Sequence, residues 1–418
     1  MKKQSFQQYG TYFSLFLFLL LFSFSARAVT VLEVEGKALP SLLGQPVSSL
    51  RLYASSDGAT LRAIPFQIDQ KNANGVWLLD SDGAGTGNLA PQDVLLFHMD
   101  DVGVALKADK LPAGKSKAEI TTSGKFVYLI AEENPAPKST KSYVKVDSAQ
   151  DRVATGFYDI GFNQRSALVQ DELILRNGSR PVDILDRFKV RFNLAIKNFF
   201  DFKINESDVD AKFAGYRVGP IRVIRRVVAT KKLGPINVIP KSSTDFMFYP
   251  NWVEVPTRVN NPIDGPKFLE EKTQGLSGYD FSRAVYGSSI YSSLGESPMV
   301  LDGVLSPAEE NLSQGVATWW ALSGPVGSLV VGIQNDPKLM QLGLEPSLRI
   351  IDETGRSDPP EGESGSSFIG FLLPYNKMPK GSYLLVVRQV FPWRFQHGQE
   401  KAYLQEAKTV KIESSKTL

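Results

Sequence analysis

Arg187-Phe188-Lys189-Val190-Arg191-Phe192-Asn193-Leu194 alternates polar and apolar side chains without a break. Successive side chains of an extended chain point to opposite faces, so this stretch predicts a strand with Phe188, Val190, Phe192 and Leu194 on a core. Arg187, Lys189 and Arg191 then share the other face. Working outward, β-branched or aromatic runs recur at Val31 to Val34, Phe126 to Ile130, Ala167 to Leu175, Ile221 to Val228, Ser328 to Ile333 and Tyr383 to Val390. Turn dipeptides stand between them at Asp57-Gly58, Asn74-Gly75, Asn177-Gly178 and Asp264-Gly265. Helix is confined to short pieces such as Pro307 to Leu312 and Lys338 to Leu342. The fold class expected is mainly β.

The stretch from Glu132 to Lys141 holds two prolines and no large apolar residue, which reads as a linker. It divides a small N-terminal β domain, residues 29–131, from residues 142–418, which carry enough strands for a large antiparallel β-sandwich. Glu353 to Ser367, rich in Gly, Ser, Pro and acids, reads as an exposed loop. Regular segments of about ten residues, which an outer-membrane barrel requires, are not sustained along the chain.

Residues 1–28 have the form of a secretory signal peptide. Lys2 and Lys3 precede an apolar run from Tyr12 to Phe24, and Ala26-Arg27-Ala28 supplies a small-residue cleavage site. The run is shorter than the roughly 20 residues that span a bilayer as a helix. The mature chain is therefore expected to begin at Val29, to keep no transmembrane segment, and to work in the periplasm or outside the cell. Its charge changes with that cleavage: 47 Lys and Arg oppose 44 Asp and Glu in the whole chain, and Lys2, Lys3 and Arg27 leave with the leader, so 44 oppose 44. A neutral chain gives no reason to expect a nucleic-acid partner. With no cysteine, the chain also excludes disulfides, thiolate zinc and iron–sulfur clusters, and its stability rests on apolar burial.

Local chemistry is sparse. His98 and His397 are the two histidines, and no Gly-x-Ser-x-Gly elbow occurs. In Asp80-Ser81-Asp82-Gly83-Ala84-Gly85-Thr86-Gly87-Asn88, the oxygens of Asp80, Asp82 and Asn88 on a glycine-permitted loop suit Ca²⁺; the same composition also suits an ordinary hairpin loop. Residues 176–232 hold 14 Lys and Arg against 6 Asp and Glu. Alternation gathers Arg187, Lys189 and Arg191 on one face, and Arg222, Arg225 and Arg226 suit a neighbouring strand. Such a face can bind an anionic polymer, since Arg matches carboxylates bidentately, or it can pair with acids elsewhere in the fold. Tyr249 and Trp252, in the aromatic cluster from Phe246 to Trp252, suit either sugar stacking or a sandwich core.

Ile64-Pro65-Phe66-Gln67-Ile68-Asp69, Asn74-Gly75-Val76-Trp77, Asp93-Val94-Leu95-Leu96-Phe97 and Asp100-Asp101-Val102-Gly103 form a pattern that resembles large, poorly characterised secreted bacterial β proteins. Gly219 to Arg226 and Phe248-Tyr249-Pro250 resemble the same group, which is similar to the sandwich domains of polysaccharide lyases. The resemblance implies a fold class and assigns no catalytic residue. The function expected is a binding or structural module of the cell envelope for carbohydrate or another anionic polymer. The alternatives are a lyase-like enzyme, in which Arg225 or Arg226 neutralises a uronate while Tyr249 or a histidine moves the proton, and an envelope assembly partner.

Overall fold

The computed structural model describes residues 30–107, 110, 116–199, 201–233, 236–313, 315–363, 366–404 and 415–417. The expected leader, residues 1–28, lies outside them. Among the described residues the chain is mainly β, with antiparallel pairing throughout and only short helices such as Pro307–Leu312 and Pro337–Gln341. The strand expected from the alternating stretch spans Leu185–Ala195.

A nine-stranded sheet organises the large sandwich. Its order is Asp210–Val218, Val223–Leu233, Ile236–Phe248, Trp252–Asn261, Gly381–Val390, Gly327–Gln334, Trp319–Gly324, Ser289–Ser292 and Gly295–Val300. Two five-stranded sheets cover its inner face. One contains Leu185–Ala195 beside Gln274–Phe281 and Phe368–Leu373, and the other contains Tyr158–Phe162 and Gln170–Leu175. Their inward residues meet in one core, where Phe248, Trp320, Leu329 and Val331 from the large sheet pack with Tyr158, Ile160, Leu173, Phe281 and Ile369. Period-two alternation produces this arrangement directly, because each strand has an apolar face to bury.

The N-terminal part is a smaller sandwich. Val31–Glu35, Val94–His98 and Phe66–Asp69 form a three-stranded sheet that packs on a sheet containing Leu50–Ala54, Ser116–Thr122 and Lys125–Ala131. The strand Val94–His98 is buried along its whole length. Leu95 and Phe97 face the small core. Val94 and Leu96, pointing the opposite way, join Val31 against Ile221, Ile224 and Met247 on the outer face of the nine-stranded sheet. A strand covered on both faces cannot alternate, which is why Val94-Leu95-Leu96-Phe97 is continuously apolar. The sheets therefore stack in four layers, with the three-stranded and nine-stranded sheets in the middle. Ser415–Thr417 returns to pair with Ser116–Thr122.

Among its described residues Glu353 to Ser367 is a loop as expected, exposed at 354–357, 359 and 362, but part of it is docked. Its Asp358 and Glu361 lie over Lys189, and Asp358 also meets Arg191. The segment has little apolar surface to bury, and its acids dock it on a basic strand instead.

Candidate functional site: a cleft between the two sandwiches

Strands Trp252–Asn261 and Gly381–Val390 pair so that Glu254 stands opposite Arg388, Pro256 opposite Val386, and Arg258 opposite Leu384. These alternate positions point outward together, away from the sandwich core. Proline has no N–H to give a ladder, and Pro256 occupies a place where none is needed: on its other side the pairing jumps from Thr244–Thr257 to Met247–Glu254. Pro256, Leu384 and Val386 make an apolar floor. Glu33 and Trp77 of the small sandwich, Tyr249, and the turn from Gln334 to Pro337 rise around it to enclose about 420 Å³. A second hollow of about 410 Å³ shares Gln334, Val386 and Arg388 and extends the cleft toward Trp319, Glu400 and Lys401.

One end of the cleft is fixed by a buried polar network. Arg222, fully buried, donates through Nε and Nη2 to Asp69 Oδ2 at 2.9 and 2.6 Å. Its Nη1 donates to the Tyr249 hydroxyl at 2.6 Å and to Glu33 Oε1 at 3.2 Å, and the Tyr249 hydroxyl donates to the same Glu33 oxygen at 2.8 Å. The guanidinium also lies 4.5 Å from the Trp77 ring centre. Burial works against the charge of Arg222, but Tyr249, Asp69 and Glu33 outweigh it and hold the group above its ordinary value. Burial pushes the Tyr249 phenol well above its ordinary value, so it stays protonated. Gln67 completes the junction, accepting the backbone N–H groups of Ile221 and Arg222 at 3.2 and 3.0 Å. Farther along, Arg388 donates to Glu254 at 2.5 Å, and Arg258, its side chain 44% exposed, lies 3.9 Å from the buried Asp245.

The basic residues, expected either to bind an anionic polymer or to pair with acids elsewhere in the fold, are paired. Arg187 donates to the buried Glu206 at 2.7 Å, and Arg191 meets the other oxygen of the same carboxylate. Lys189 is 3% exposed and lies 2.8 Å from Asp280. Arg225 holds Asp151 bidentately at 2.7 and 2.5 Å, and Arg226 holds Asp245 at 2.6 and 3.0 Å. Each cation has found an acid of its own chain, and burial makes such pairing necessary. Of the pairings the lyase alternative offered, Arg225 and Tyr249 are separated. Arg225 belongs to the inner side with Phe162, whereas Tyr249 meets Glu33 on the outer side of the same sheet. Arg222 and Tyr249 do come together at the cleft. Trp252 stacks on Tyr249 at 4.2 Å, but at 3% exposure it belongs to the packing beneath.

Of the three expected calcium ligands, the two acids have partners within the fold. Asp80 accepts from Arg217 at 3.2 Å and from the Val218 N–H at 2.9 Å; Asp82 accepts the Leu79 N–H at 3.0 Å; Asn88 pairs through its backbone with Pro46. Among the described residues no group of three or more acidic or histidine side chains is placed to hold a metal. His98, 4% exposed, stacks on Tyr143 at 4.0 Å, and burial lowers its pKa.

Glu33, Glu254, Arg258, Asp336 and Arg388 were not singled out by the sequence. Arg258 and Arg388 do sit at outward positions of alternating strands, but nothing in the chain brings together strands some 130 residues apart, as Glu254 and Arg388 are at a separation of 134.

No protein-family model matches the chain, and no curated protein matches it. Among solved structures it is similar to an α-mannosidase from Enterococcus faecalis V583, with 11% identity and a TM-score of 0.49 over 93% of this chain. The chain spans 44% of that protein's length. A putative aldose 1-epimerase from Escherichia coli K12 aligns at 8% identity and a TM-score of 0.36, covering 57% of this chain and 97% of the other. A protein from Synechocystis sp. PCC 6803 aligns at 9% identity and a TM-score of 0.36, covering 62% and 98%. Likeness at this level assigns no residue a role.

Proposed function

We propose that this protein is an exported binding module of the cell envelope that takes a saccharide in the cleft between its two sandwiches. The observation that carries the reading is the amphipathic lining: an apolar floor of Pro256, Leu384 and Val386 bordered by Glu254, Arg258, Asp336 and Arg388. A pyranose is amphipathic in the same way, with C–H faces that pack on apolar side chains and hydroxyls that seek charged or polar partners. Arg222, Arg258 and Arg388 are balanced by Glu33, Glu254 and Asp336, which favours a neutral or mixed-charge glycan over a uniform polyanion. Export through residues 1–28 belongs to the same reading, and N-terminal sequencing of the protein recovered from the envelope should begin at Val29.

Screening the mature protein on a glycan array, followed by calorimetric titration of the best saccharide, tests the binding. Arg258→Ala and Leu384→Asp change exposed side chains, 44% and 39% accessible, so the fold should persist while affinity falls at least about tenfold, on the scale of one lost polar or apolar anchor. A protein that binds no glycan, or two variants that bind as the parent does, would remove this reading.

A further inference from the structure

The inner face of the nine-stranded sheet does not close completely on the strand that faces it. Phe188, Val190 and Phe192 point inward as alternation requires, yet all three remain half-buried, beside a cavity of about 180 Å³. Phe246 and Leu385 supply the opposite wall. The hollow opens partly to the surface, and an apolar space of roughly 150 Å³ is large enough to take up benzene.

Two polar groups break the apolar lining. Gln170 and Gln389 both line the cavity, each is 2% exposed, and the side-chain oxygen of each lacks a hydrogen-bond partner. The other polar side chains there are better satisfied, since the hydroxyls of Thr244 and Thr257 bond each other at 3.1 Å. Leaving a buried amide oxygen unpaired is costly, so two in one apolar chamber are acceptors that await a donor.

We propose that this cavity is a second binding site, distinct from the outer cleft, for a small apolar molecule that donates a hydrogen bond, such as a phenol. The ring fills the void between Phe188, Phe246 and Leu385, and the hydroxyl donates to Gln170 or Gln389. Binding here is independent of the saccharide reading, because the cavity lies on the opposite face of the nine-stranded sheet from Arg258 and Leu384.

The test uses the mature protein with a matched pair of probes, 4-ethylphenol and ethylbenzene, which differ by the donor alone. Calorimetric titration should show 4-ethylphenol binding at least tenfold more tightly, and at equal concentration it should raise the melting midpoint more than ethylbenzene does. Gln170→Leu and Gln389→Leu, made separately and together, should erase the preference while keeping the binding of ethylbenzene. Val387→Phe and Ser277→Phe, which fill the chamber from two different strands, should abolish binding of both probes; whichever of them folds serves as the test. Arg258→Ala should bind the phenol as the parent does, which keeps this result separate from that of the glycan experiment. Failure of both probes to bind, equal affinity for the two, or undiminished binding in the filled variants overturns the proposal. The first of these results would mean that water satisfies the two glutamines.

Discussion

Removing a guanidinium from water costs several kcal/mol, and the cost is met only where charges and hydrogen bonds replace the lost solvent. Arg222 shows how completely that replacement can be made, with Asp69, Glu33 and the Tyr249 hydroxyl all within 3.2 Å of its nitrogens. Arg222→Ala should therefore destabilise the protein by about 3–5 kcal/mol, because Asp69 stays buried beside Arg217 as its one remaining cation. Arg258→Ala, at a side chain 44% exposed, should stay within about 0.5 kcal/mol of the parent. Urea denaturation of the two variants checks the contrast, and near-equal midpoints would mean that the network contributes little. The sequence marks Arg222 as basic and shows nothing of its burial. Asp69 lies 153 residues away and Glu33 189, and an arginine destined for a buried network has the same letter as one destined for solvent.

At the scale of an element, Leu185–Ala195 was legible in its periodicity and illegible in its surroundings. Alternation assigns Phe188, Val190 and Phe192 to one face and Arg187, Lys189 and Arg191 to the other, as the structure has them. What covers the basic face comes from Glu206 and from the segment holding Asp358 and Glu361, and no local pattern announces such docking. The cover has a pH signature. Asp280 stands opposite Arg187 on the neighbouring strand, and Lys189 reaches it past Gly278, which has no side chain to obstruct it. Burial pushes Asp280 up to about 6, against the pull of Lys189 and with help from Asp186 and Glu361. Its ordinary value is 3.8, so between these limits the folded protein holds a proton that the unfolded chain has released. The stability this provides is full below the lower value and is lost as the pH rises through about 6. The parent should gain on Asp280→Asn by roughly 1 kcal/mol between pH 7 and pH 5, read as the difference between their denaturation curves. Taking the difference removes His98, whose lowered pKa acts in the opposite sense over the same range. A constant difference across that range would show that Asp280 titrates as an exposed carboxyl does.

At the scale of the molecule, composition and turn spacing were enough for a mainly β, sandwich-like chain, since this property depends on local alternation. The stacking of the two sandwiches was not legible, because it depends on which apolar faces are left over once each sandwich has closed. Val31, Val94 and Leu96 are the surplus of the small sandwich, and Ile221, Ile224 and Met247 are the surplus of the large one. Burying each of the first three contributes roughly 1.5–3 kcal/mol. Arg222 with Asp69 and Arg217 with Asp69 and Asp80 add directional pairs, and Ser415–Thr417 adds a strand of one part to a sheet of the other. Residues 133–138 between the parts are exposed, so a protease site inserted after Pro137 should be cut without disturbing either core. Because the two parts hold each other through buried surface and not through the connecting chain, the cut protein should still elute from a sizing column as one species at micromolar concentration. Asp69→Ala, which leaves both Arg222 and Arg217 short of a carboxylate, should make the cut halves separate at lower urea than the parent's. Two fragments eluting apart in native buffer would show that the linker alone joins the sandwiches, and the cleft between them would then lose the rigidity on which a binding site depends.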